Sequence, residues 1–163
     1  MKRNFFSTLA AFAISILSAS AGEPEKLNLN VGNVEHIHIM DNIDVVLIQA
    51  PHRDNSIVLD QQTSEKLNVK LNAKTLYIGG RAGKSKEKTV VYIYVNNLKS
   101  LTVNGNSDVK TSGTLKTGLL DVFVEGNTKV HIKTTGTVKA HSLNDAEIKV
   151  TYLSKAEPGK KPY

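Results

Sequence analysis

The sequence predicts an all-β chain wound as a single-stranded right-handed β-helix, a β-solenoid with coils of about 20 residues. Three observations carry this. Apolar residues alternate with polar ones almost throughout, short Gly/Asn-rich turn signals separate the alternating runs, and one seven-residue frame recurs along the chain. A two-sheet sandwich would share the first two features but has no need of the third.

The alternation begins at Leu27, Leu29 and Val31 and is sustained from Val34 onward. Ile37 and Ile39 are interleaved with His36 and His38. Leu67, Val69 and Leu71 alternate with Asn68, Lys70 and Asn72, and Val91, Ile93 and Val95 with Tyr92 and Tyr94. Val122 and Val124 stand among Asp121, Phe123 and Glu125. A strand places successive side chains on opposite faces, so a period of two marks half-buried strands. The segment from Thr63 to Leu71 lacks a helical stripe and is expected to be a strand with at most one helical turn before it.

Turn signals fall at Asp41-Asn42, Asn72-Ala73, Gly79-Gly80, Gly105-Asn106, Gly126-Asn127 and Asn144-Asp145. Gly79 to Lys88 (GGRAGKSKEK) is expected to leave the body as a loop. Its glycines are spaced one residue too closely for a phosphate-binding loop and open no helix.

The recurring frame is V-N-G-N-S-D-V at Val103 to Val109 and V-E-G-N-T-K-V at Val124 to Val130, 21 residues apart. S-L-N-D-A-E-I at Ser142 to Ile148 repeats it 18 residues later. I-M-D-N-I-D-V at Ile39 to Val45 has the same shape 64 residues before Val103 to Val109, close to three periods. Asn42, Gly105, Asn106, Gly126, Asn127 and Asn144 are therefore expected at structural corners, where φ > 0 is needed. Stacked asparagines there would form an amide ladder.

The N-terminus reads as a secretory signal. Lys2 and Arg3 precede an apolar run from Phe5 to Leu17, and Ala19-Ser20-Ala21 offers a small-x-small cleavage site. The run is shorter than the roughly 20 apolar residues of a membrane span. Residues 1–21 are thus expected to be removed, with a solenoid domain over 22–153 and a frayed Pro/Lys-rich tail over 154–163. No transmembrane span would remain, and the protein would be periplasmic, extracellular or at the cell surface. The chain has no cysteine, which excludes disulfides and thiolate chemistry.

Of the net charge of +6, Lys2 and Arg3 contribute two, leaving a mildly basic mature chain at +4. That is too diffuse for nucleic-acid binding, which asks for dense Lys/Arg clusters and stacking aromatics.

From Val34 to Tyr152 the chain resembles a family. Ile43-Asp44-Val45-Val46-Leu47-Ile48-Gln49, then Leu76-Tyr77-Ile78, Leu98-Lys99-Ser100-Leu101, Asn104-Gly105-Asn106-Ser107-Asp108-Val109 and Leu120-Asp121-Val122 follow its order and spacing. The family is the putative auto-transporter adhesin, head GIN domain group. The resemblance implies an exported single-stranded β-helix and supplies no catalytic residues.

Candidate sites are correspondingly few. Outward positions of the later coils are basic (Lys110, Lys129, His131, Lys133, Lys139, His141 and Lys149). Lys110, Lys129/His131 and Lys149 are expected to line up as a ligand-binding stripe for an anionic glycan; lysines that merely keep a β surface soluble would give the same pattern. His36 and His38 share a strand face, where they are expected as exposed residues rather than metal ligands, with Ile37 and Ile39 inside. Asp44, Asp108 and Asp145 are expected to accept hydrogen bonds from corner N–H groups. Tyr92 and Tyr94 share a face and, with Tyr77, offer exposed aromatic rings. No cofactor, metal site or catalytic residue is indicated. The expected function is a non-enzymatic, adhesin-like surface binder of a glycan or envelope protein. The alternatives are a carbohydrate-active β-helix enzyme, which would need acids from neighbouring coils beside a Lys, Arg or His in a groove, or a module that assembles with copies of itself.

Overall fold

The computed structural model describes residues 14–15, 26–50, 55–80 and 88–153. In chain order the elements are β1 (Ile14–Ser15), β2 (Lys26–Gly32), β3 (His36–Asp41), β4 (Ile43–Gln49), β5 (Asn55–Asp60), α1 (Gln61–Lys66), β6 (Leu67–Asn72) and β7 (Thr75–Gly80). They continue with β8 (Thr89–Val95), β9 (Ser100–Gly105), β10 (Asp108–Ser112), β11 (Leu119–Gly126), β12 (Lys129–Thr134), β13 (Thr137–Leu143) and β14 (Glu147–Tyr152). The fold is all-β with two mixed sheets. One runs β1-β2-β5-β8-β4-β10-β12-β14, the other β13-β11-β9-β3-β7-β6.

The period-two residues do what their spacing requires. Ile37, Ile39, Leu76, Ile78, Leu101, Val103, Val122 and Val124 of the six-stranded sheet join Val45, Leu47, Val91, Ile93, Val109, Val130 and Ile132 of the eight-stranded sheet in one buried cluster. Each fully buried side chain of this size contributes about 1.5–3 kcal/mol over an exposed one. The segment from Thr63 to Leu71, expected as a strand, is helical as far as Lys66 in α1 and becomes a strand only from Leu67, as β6.

Five strand pairs stack with parallel pairing in both sheets, in the spatial order β7–β8, β3–β4, β9–β10, β11–β12 and β13–β14. The 21-residue echo is a true register, pairing Val103 with Val124 and Val109 with Val130. The 64-residue echo is not three coils of chain. Ile39 pairs directly with Val103 and Val45 with Val109, so these frames are immediate neighbours. The chain between them detours through antiparallel β5, α1 and β6, forms the β7–β8 layer on one side of β3–β4, and resumes on the other side.

The corners form a column of left-handed residues: Asp41 (φ 71°), Gly105 (φ 124°), Gly126 (φ 92°) and Asn144 (φ 61°). At the first corner this residue is Asp41 rather than the expected Asn42, and Asn106 and Asn127 likewise sit one place after the strained position. Gly105 is required for a second reason, since a Cβ there would stand 2.5 Å from the Asp41 carbonyl oxygen. The side-chain bonds found between stacked corners come from hydroxyls. Ser107 Oγ donates to the Asp41 carbonyl and Thr128 Oγ1 to that of Gly105, both at 3.0 Å.

Gly79 and Gly80 finish β7 instead of opening a loop, and the Gly80 N–H donates to Asp41 Oδ2 at 3.0 Å. Residues 81–87 of the expected loop, the expected tail 154–163 and, apart from Ile14–Ser15, the expected leader lie outside the described residues. Among the described residues, no helix is long and apolar enough to cross a membrane.

Candidate functional site

A groove of about 570 Å³ opens on the outer face of the eight-stranded sheet. Strand register determines its lining. Because neighbouring strands lie about 4.8 Å apart, residues paired across the sheet form rows perpendicular to the chain. One row runs Tyr92, Val46, Lys110, His131, Lys149 across β8, β4, β10, β12 and β14. It changes along its length from an aromatic and apolar half to a basic half. The row two residues earlier on each strand runs Val90, Asp44, Asp108, Lys129, Glu147. All ten of these residues line the groove.

The structure thus brings Lys110, His131 and Lys149 into one line and sets Lys129 one row over, between Asp108 and Glu147. Lys139 and His141 are on β13, in the other sheet, and take no part. Tyr92 stands 46% exposed in the groove. Tyr77 belongs to the six-stranded sheet, tilted against His38 with ring centroids 5.6 Å apart. The three tyrosines therefore do not form one strip.

Asp44 accepts the Asp108 N–H at 2.8 Å, the corner hydrogen bond expected of it. Lys88, at the entry to β8, spans both acids, with Nζ 3.4 Å from Asp44 and 3.3 Å from Asp108. Burial pulls the Lys88 amine down, but the hydrogen bond to Asp108 and the charges of both carboxylates outweigh it. The net result is a pKa above the ordinary lysine value. Two acids from neighbouring strands and a lysine at the entry to β8 do converge here, and the raised pKa favours the protonated form of that lysine.

On the other sheet, Ile37 and Ile39 are buried as expected, while His36 and His38 are half-buried rather than exposed. His36 Nδ1 lies 2.7 Å from Ser100 Oγ, and His38 packs on Tyr77. Among the described residues no group of three His, Cys, Asp or Glu is placed to hold a metal ion.

Nothing local in the sequence marks Glu35, yet it is the best-anchored charge in the molecule's described part. Its carboxylate receives Lys74 Nζ at 2.7 Å and Lys99 Nζ at 2.8 Å. Its carbonyl accepts the Lys99 and Ser100 N–H groups, and its N–H donates to the Lys74 carbonyl. The hydrogen bonds from Lys74 and then Lys99 hold the carboxyl at about 2, well under its usual 4.5. Its partners lie 39 and 64 residues away, beyond any motif's reach.

The match to the family model named "Putative auto-transporter adhesin, head GIN domain" spans residues 33–156. The chain belongs to this head GIN domain family. Two solved structures share its fold. A "putative adhesin" from Parabacteroides merdae is 16% identical with a TM-score of 0.50, over 79% of this chain and 73% of that one. A "putative adhesin" from Bacteroides fragilis is 11% identical with a TM-score of 0.52, over 80% of this chain and 98% of that one. No curated protein matches the sequence. At such identities the likeness carries the fold alone, and what this head GIN domain does has to come from its own surface.

Proposed function

We propose that this head GIN protein is an exported, non-enzymatic binding protein whose outer groove holds an extended anionic glycan, a chain of sugars bearing carboxylate or sulfate groups. The observation that carries the reading is the row Tyr92–Val46–Lys110–His131–Lys149 along the groove. A sugar ring presents an apolar face that stacks on tyrosine, and its anionic substituents pair with a line of cations at strand spacing. Asp44, Asp108 and Glu147 on the flanking row are acceptors for sugar hydroxyls.

In the same reading the leader is cleaved after Ala21, and the five parallel layers are coils of a right-handed β-helix, the hand that parallel crossover connections adopt. Loss of β1 with the leader makes β2 an edge strand, which its bulge between Asn30 and Gly32 protects from stray pairing.

The test is a glycan-array screen of residues 22–163 at low and physiological salt, followed by the triple change of Lys110, His131 and Lys149 to Ser. Salt-weakened binding to acidic glycans that the triple variant loses supports the proposal. Failure to bind any glycan, or binding that the variant retains, rejects it.

One observation favours a second reading. Lys88 approaches Asp44 and Asp108, two acids that line the groove, and acids beside a lysine are what a lyase-like β-helix enzyme would need. Incubation with uronic-acid polymers, monitored for an unsaturated product, decides it, and the protonated Lys88 argues for no turnover.

A further inference from the structure

We infer that the free edge of β14 is a docking site for the β14 of a second copy of this chain. Among the described residues β14 pairs with β12 alone and β13 with β11 alone. Among the described residues, the layer they form leaves large apolar side chains uncovered. Leu143 is 50% exposed, Tyr152 58% and Leu153 46%, and the inward-facing Ile148 and Val150 are half-buried where their neighbours Val130 and Ile132 are fully buried.

The backbone of β14 is set up for pairing. Glu147 and Leu153 donate their N–H groups to Thr128 and Thr134 across the β12 side. Strand alternation then turns the N–H and C=O groups of Ile148 and Val150 outward, to the open edge. An antiparallel copy centred on Ile148 would exchange two hydrogen bonds between the two Ile148 residues, about a two-fold axis.

In that register both faces match themselves. On the inner face Ile148 meets Ile148 of the second copy, and Val150 meets Ala146. On the outer face Glu147 falls opposite Lys149 and Lys149 opposite Glu147, two opposite-charge pairs at the close non-hydrogen-bonded positions. The edge of β13 has no such match, because Lys139 and His141 alternate there with no acid. The continuation of the chain is a poor substitute occupant. Residues 154–163 include Pro158 and Pro162, which have no N–H to give to an edge. Lys149 and Glu147 also line one end of the groove, so in this register the basic row of one copy runs on into the Glu147 row of the other.

Sedimentation velocity over a wide concentration range tests the inference on the purified protein. The expected result is a monomer–dimer equilibrium. The Glu147→Lys change sets lysine against lysine twice and should weaken the dimer by about tenfold or more. The double change Glu147→Lys with Lys149→Glu restores the opposite-charge pairs and should recover dimerisation. The circular dichroism spectrum, unchanged in all three, separates this from unfolding. A monomer at every concentration, or a dimer indifferent to Glu147→Lys, overturns it. So does a dimer that forms only when residues 154–163 are deleted, which would make that segment the natural cover of the edge.

Discussion

The two ends of the strand stack solve one problem in different ways. Beyond the β7–β8 layer the strands reverse direction, with β6 antiparallel to β7 and β5 and β2 antiparallel beyond β8. The helix α1 contacts β2, β5 and β6, lying against both sheets at that end. Val31, Ile57, Leu59 and Leu67 are buried there. Beyond β13–β14 the described chain adds nothing, and the side chains shrink instead. Ala140 and Ser142 stand in register with Val122 and Val124. Reversing strand direction closes a core, whereas tapering it only reduces the apolar area left open.

The largest effect that sharpens this contrast comes from core truncation. Leu101→Ala, at a fully buried position of β9, should cost about 2–5 kcal/mol by urea unfolding. Val138→Ala, at the half-buried position of the otherwise exposed β13, should cost under about 1 kcal/mol. Equal penalties would mean that the β13–β14 layer is packed like the interior.

Corner strain should follow the same gradient. Gly105→Ala puts a Cβ against the Asp41 carbonyl at φ 124° and should cost about 3 kcal/mol. Asn144→Ala, at φ 61° in the last corner, should cost about 1 kcal/mol.

Glu35 ties β3 to both neighbouring layers, far from the open end. Its folded pKa, about 2, lies below its unfolded value of 4.5, so the stability it adds is present above the unfolded pKa. That stability is lost as pH falls from about 5 towards 2. Glu35→Gln should therefore flatten the acid limb of the urea midpoint plotted against pH, and an unchanged limb would assign it to other carboxyls. The smallest effect belongs to the groove: Lys149→Ser should alter the stability of the monomer by less than about 0.5 kcal/mol, since among the described residues of the chain no hydrogen bond or ion pair anchors it.

The strands β2, β3, β6, β8 and β11 and their inward faces were legible in the period-two alternation, and the 21-residue register in the recurring frame, whereas β5, β13 and the helical residues 63–66 were not. Nor was the order of layers. The spacing of 64 between Ile39 and Val103 says how much chain intervenes and nothing about where that chain goes. The corner was placed within one residue, but Asn42 drew attention from Asp41, since asparagine is the commoner left-handed residue. The basic row was legible as far as Lys110, His131 and Lys149. Its apolar half was hidden, because Val46 and Tyr92 become neighbours of those cations only through the inserted β3–β4 layer. Lys88 and Glu35 escaped for the same reason, having partners that sequence distance conceals.

That insertion has a consequence in time as well as in space. The β3–β4 layer is the first of the five to be synthesised, yet β3 pairs through His36 with Thr75 on one side and Ser100 on the other. It must wait for 39 further residues before one neighbour exists and for 64 before the second does. A repeat array whose units follow one another in order can zip up from either terminus. Here the first-made of the five layers becomes an interior one, with one parallel layer added on one side of it and three on the other, so long-range loops have to close before it has both neighbours. Both parallel neighbours of β4 exist only once the chain has reached Ser112, the end of β10.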